Sequence, residues 1–126
     1  LIRFSVLALA AWLCAGGAHA QCRSADRPVA LTLGIGRAPA DAVVTQRLPL
    51  CVRHEFKLPV RAGQRITLAL TSPSGQKGML TLVAPSGERP ADGENAWSGA
   101  AAESGTYVIE VATDKTTTYT LRVTLR

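Results

Sequence analysis

The last nine residues, Thr118-Tyr119-Thr120-Leu121-Arg122-Val123-Thr124-Leu125-Arg126, decide the fold class. Tyr119, Leu121, Val123 and Leu125 fall on one side of a period-two repeat, and Thr and Arg residues fall on the other. Side chains of an extended chain alternate between the two faces of a sheet, so this segment is a strand with one buried and one wet face. The preceding block repeats the pattern. Tyr107, Ile109 and Val111 point one way between Ser104-Gly105 and the polar turn at Asp114-Lys115.

Further upstream the same alternation recurs in short pieces. Val52, His54, Phe56 and Leu58 oppose Arg53, Glu55 and Lys57, and Arg61-Ala62-Gly63-Gln64 reads as a turn. Ile66, Leu68 and Leu70 follow, and then the turn Ser72-Pro73-Ser74-Gly75. Gly78 to Ala84 is a strand with Leu80 and Leu82 on one face, closed by Pro85-Ser86-Gly87. Val29, Leu31, Leu33 and Ile35 alternate before Gly36, and Val43 to Leu48 is a weaker strand stopped by Pro49. Glu88 to Asn95 reads as a polar loop with Trp97 isolated after it, and Ala100-Ala101-Ala102-Glu103 has room for one helical turn. No segment supplies the helical crossover that parallel strands ordinarily need. The expected fold is all-β: an antiparallel β-sandwich of seven or eight short strands at hairpin spacing, jelly-roll or Ig-like in general architecture.

The start of the chain reads differently. Arg3 precedes the apolar run Phe4 to Ala15, and Ala18-His19-Ala20 has the small-x-small form of a signal-peptidase site. Residues 1–20 are therefore expected to be a signal peptide, and the protein to be periplasmic or secreted. The apolar run is short of the roughly 20 residues that span a bilayer, and no second one follows, so the mature protein should have no transmembrane segment. Removing twenty of 126 residues leaves 106, enough for one domain, and lowers the formal charge from +5 to +4. The basic residues are scattered, without the clustering of a nucleic-acid face.

Cys14 departs with the leader, and Cys22 and Cys51 remain as an even pair in an oxidising compartment. A bridge between them would enclose 28 residues and stabilise by about 3–4 kcal/mol in the chain-entropy account. It would tie a tail, residues 21–27, to a β-sandwich domain of residues 28–126.

Little here suggests catalysis. His54 shares a face with Phe56 and Leu58, and fits a core or sheet-edge histidine donating to a carbonyl better than a catalytic base. After removal of residues 1–20, one His and two cysteines expected to pair leave no zinc set. Asp92-Gly93-Glu94-Asn95 lacks the spacing of a calcium loop, and Gly34 and Gly36 lack the helix that a phosphate loop opens. The expectation is a non-enzyme without metal or cofactor. Trp97 is expected to plug the core.

The stretch from His54 to Arg126 resembles the bacterial pre-peptidase C-terminal domain. The resemblance lies in Glu55-Phe56-Lys57-Leu58, Ala62-Gly63-Gln64-Arg65-Ile66-Thr67-Leu68, Leu80-Thr81-Leu82 with Pro85-Ser86-Gly87, and Trp97-Ser98-Gly99. It closes with Ser104-Gly105-Thr106-Tyr107-Val108-Ile109-Glu110-Val111 and Tyr119-Thr120-Leu121-Arg122-Val123. The resemblance implies a non-catalytic β-sandwich of an exported bacterial protein, acting by contact with a protein or envelope component. The same blocks are similar to the periplasmic inhibitors of goose-type lysozyme, through the Ala-Gly-Gln turn, the Ser-Gly-x-Tyr strand start and the terminal Tyr-x-Leu-x-Val strand. That similarity implies a lysozyme as partner, with the Ser-Gly turn facing it. The candidate binding residues are then Glu103, Ser104, Gly105 and Lys115, on loops expected at one end of the sandwich.

Overall fold

A computed structural model of the chain describes residues 27–126. The expected signal peptide and Cys22 lie outside the described residues. Nine strands form two sheets: β1 (Arg27–Leu31), β2 (Ala40–Leu48), β3 (Val52–Val60), β4 (Arg65–Thr71), β5 (Leu80–Val83), β6 (Ala91–Glu94), β7 (Ala96–Ala100), β8 (Gly105–Val111) and β9 (Thr117–Leu125). One sheet has the order β1-β3-β8-β5-β6 and the other β2-β9-β4-β7. The all-β sandwich is the architecture that the alternating blocks call for.

The connectivity is not that of successive hairpins. Among the described residues, β5 and β6 are the one pair of neighbours adjacent in sequence. Every other connection between successive strands crosses to the other sheet. The pairing of β1 with β3 is parallel, which corrects the all-antiparallel expectation. A helix is not needed for that crossover, because β2, lying in the other sheet, serves as the return. β8 and β9 are likewise not neighbours. They occupy inner positions of opposite sheets, so Tyr107, Ile109 and Val111 of one, and Tyr119, Leu121 and Val123 of the other, are buried across the sandwich rather than along one sheet.

Three local expectations also change. β2 is a full nine-residue strand paired with β9 along its whole length. The polar run Glu88 to Asn95 contains β6, held by pairing to β5 with a shift in register. The segment after Ala100 forms no helix; its backbone is taken by turn contacts instead, with Gly63 N–H donating to Ala101 O at 2.8 Å and Ala101 N–H to Gln64 O at 2.8 Å. Trp97 lies in β7, opposite Leu68. It is half-buried against the core, and its ring lies over Gly99, where a Cβ would come within 2.6 Å of the indole. The core is made of the inward residues of both sheets, with Phe56, Leu58, Ile66, Leu68, Leu82, Ile109 and Leu121 almost wholly removed from water.

Candidate functional site

Because β8 runs from Gly105 to Val111, the loops before and after it lie at opposite ends of the sandwich. Seven residues of strand separate them, about 23 Å at the usual rise. Glu103, Ser104 and Gly105 are thus brought together, and Lys115 is not with them. The single-end expectation is corrected by the direction of one strand.

At the Ser104 end, the loop after β7 is fastened from several sides. The Ser104 hydroxyl accepts the N–H of Ala62 at 2.8 Å. The Glu103 carboxylate accepts the N–H of Ser86 at 3.2 Å, and the Glu103 carbonyl accepts the Tyr107 hydroxyl at 3.0 Å. Gly105 has φ of 144°, and a Cβ there would stand 2.7 Å from Cγ of Pro85. Only glycine fits both the backbone and the contact. The Ser-Gly pair is therefore a built junction of three loops, held in one shape before any partner arrives.

Beside it is a concavity of about 570 Å³, lined among others by Arg37, Arg61, Gln64, Gly105 and Thr106. Arg37 and Arg61 are exposed, and among the described residues neither has an ion-pair partner. A smaller hollow of about 400 Å³ adjoins it along Leu31, Ile35, Lys57, Pro59 and Val108. Sequence inspection missed the two arginines, because they sit in loops 24 positions apart. The available signal was Arg61 in the turn that the Ser104 hydroxyl caps.

At the Lys115 end, polar side chains bond back to the loops. Leu50 N–H donates to the Thr116 hydroxyl at 3.0 Å, and Met79 N–H to Asn95 Oδ1 at 3.1 Å. The Asn95 amide donates in turn to the Gln76 carbonyl at 2.8 Å, and the Gln76 amide reaches Asp114. Lys115 is exposed, next to that Asp114. Also near this end, His54 Nδ1 lies 2.7 Å from the Tyr119 hydroxyl of the facing sheet. The histidine's partner is a phenol and not the expected carbonyl. Burial holds the imidazole below its ordinary value of 6.5 and pushes the phenol above its ordinary range. Both groups are thus neutral near pH 7, and the buried phenol hydrogen is satisfied when Tyr119 donates to Nδ1. His54 has a structural partner, and the residue is only 6% exposed.

Cys51 occupies the turn between β2 and β3 and is not without a partner. Its carbonyl accepts the Arg27 N–H at 3.0 Å, so the described chain begins beside it. Among the described residues, no group of three His, Cys, Asp or Glu is placed to hold a metal ion, and no helix is long and apolar enough to cross a membrane.

No family model matches the chain, and no curated protein matches it in sequence. Solved structures do. The g-type lysozyme inhibitor PliG of Aeromonas hydrophila, a periplasmic protein, is 19% identical with a TM-score of 0.65, over 81% of this chain and all of that one. The fold is shared. PliG of Salmonella Typhimurium is 14% identical with a TM-score of 0.57, over 79% of this chain and 98% of that one. The pre-peptidase C-terminal domain of a Bacillus anthracis collagenase is 15% identical with a TM-score of 0.53, over 78% and 95%. Both groups that the sequence resembles therefore have this architecture.

Proposed function

We propose that the chain is an exported, non-catalytic binding protein that inhibits a cell-wall hydrolase of the g-type lysozyme kind. In this proposal residues 1–20 are removed, Cys22 bonds to Cys51, and the Ser104 end enters the enzyme's cleft. One observation carries it: Arg37 and Arg61, exposed and unpaired among the described residues, border a concavity beside the fastened Ser104-Gly105 junction. Glycoside hydrolases generally cleave with carboxylates set in a cleft. Two guanidinium groups on a rigid support complement such a cleft by charge and by planar hydrogen bonding. The shared fold with periplasmic PliG proteins of two bacteria supports the choice of enzyme class and the compartment. Lys115, a strand length away, takes no part in this contact.

The test is a lytic assay with a g-type lysozyme on cell-wall suspension. Micromolar protein is expected to inhibit lysis. Arg61→Glu should weaken inhibition about tenfold, chiefly by slowing association, and Lys115→Glu should leave it unchanged. Absence of inhibition by the unaltered protein retires the lysozyme as partner.

A further inference from the structure

Two sheets leave four edge strands, and three of them are protected against pairing with another chain. β1 is five residues long and carries Pro28. β6 is four residues long and its register shifts against β5. β7 is five residues long and contains Gly99 beneath the Trp97 ring. Shortness, proline, bulges and irregularity are the usual means by which edges avoid association.

β2 has none of them. Its nine residues, Ala40-Asp41-Ala42-Val43-Val44-Thr45-Gln46-Arg47-Leu48, include no Pro, Gly or Lys, and pair with β9 in unbroken register. Next to its middle stands Val43, 55% exposed, the large apolar side chain that the described residues leave in water. The strand is also complementary to itself. Placed antiparallel to a second copy about Val44, it sets Asp41 opposite the other copy's Arg47 and Val43 opposite its Thr45. Asp41 and Arg47 are both exposed, and neither has an ion-pair partner among the described residues. The two residues of every pair have position numbers summing to an even value. The backbone groups that β2 turns away from β9 therefore meet their counterparts on the second copy.

We propose that β2 is the docking edge for a second copy of this chain, joining two four-stranded sheets into one of eight about a two-fold axis through Val44. The pairs that carry this contact include neither Arg37, Arg61 nor the Ser104-Gly105 junction, and the proposal does not depend on the inhibitor assignment.

Sedimentation of the purified exported protein tests it. The expected result is a concentration-dependent monomer–dimer equilibrium. Arg47→Asp places like charges opposite each other twice per dimer and should weaken association about tenfold. The exchanged pair Asp41→Arg with Arg47→Asp should restore it. Thermal melting of each variant checks that the fold is intact, which substitution at exposed positions should leave unchanged. A monomer at every concentration up to the millimolar range overturns the proposal. So does a dimer whose affinity ignores Arg47→Asp, or one that the exchanged pair fails to restore.

Discussion

The two ends of the sandwich solve the same problem with different residues. At each, strands stop and loops must find partners for backbone groups that no longer lie in a ladder. The Lys115 end uses Asn95, Gln76 and Thr116, whose side chains bond back to the loops, with His54 and Tyr119 joining the sheets just beneath. Most of these polar groups bond within the protein, and the buried Gln76 Oε1 is left without a hydrogen-bond partner. The Ser104 end is fastened by Ser104, Glu103 and backbone contacts around Gly63 and Ala101, which leaves Arg37 and Arg61 free to face solvent beside a hollow. The first arrangement closes the molecule, and the second leaves unspent charge beside a fastened junction. Rigid presentation of unsatisfied groups is what recognition requires, so the ends differ in what they offer a partner although they share one core.

That contrast is open to attack by substitution. The largest effect should come from between the ends. Leu121→Ala removes a side chain that both sheets enclose and should cost about 2–5 kcal/mol. Arg122→Ala, on the outer face, should stay within about 0.5 kcal/mol. Urea unfolding measures both, and equal costs would mean that the faces of β9 are exchanged. Next comes Tyr119→Phe. It leaves His54 Nδ1 without a partner and should cost about 1–3 kcal/mol, while inhibition at the opposite end persists in the lytic assay. Loss of inhibition in a folded Tyr119→Phe protein would erase the distinction between a closing end and a presenting end.

The smallest effect is that of acid. His54 is held neutral by burial, with its folded value below the unfolded 6.5. Its contribution is therefore fully present above about pH 6.5 and is lost as pH falls from there through the folded value, because the unfolded chain takes up the proton first. Melting temperature should decline on acidification below pH 6.5, and His54→Gln should flatten that part of the profile. An unchanged slope in the variant would assign the acid sensitivity elsewhere.

Much of this was legible from the short blocks between residues 52 and 125 in which apolar and polar side chains alternate. The alternation of Tyr119, Leu121, Val123 and Leu125 names the buried face correctly. It is silent on which sheet a strand joins, because an inward residue looks the same from either side of the core. Hence hairpin spacing suggests β8 and β9 as neighbours, although they lie in facing sheets. β6 and β7 escaped notice for another reason. Asp92-Gly93-Glu94 and Ala96-Trp97-Ser98-Gly99 have weak strand preference, and as edge strands they depend on pairing with β5 and β4 rather than on side-chain pattern. The Ser-Gly turn was readable because its glycine is sterically required. Arg37 and Arg61 were not, since only the fold brings residues so far apart in sequence to one rim.

The placement of β8 and β9 inside opposite sheets has a consequence in time. β3 and β5 of one sheet meet only through β8, and β2 and β4 of the other only through β9. Everything synthesised before residue 105 is therefore a set of strands lacking their middle members. Such a chain gains little from partial collapse and must wait for β8 and β9 before either layer can close. Threaded N-terminus first through a narrow pore, the first seven strands would arrive on the far side still without the two that join them into closed layers.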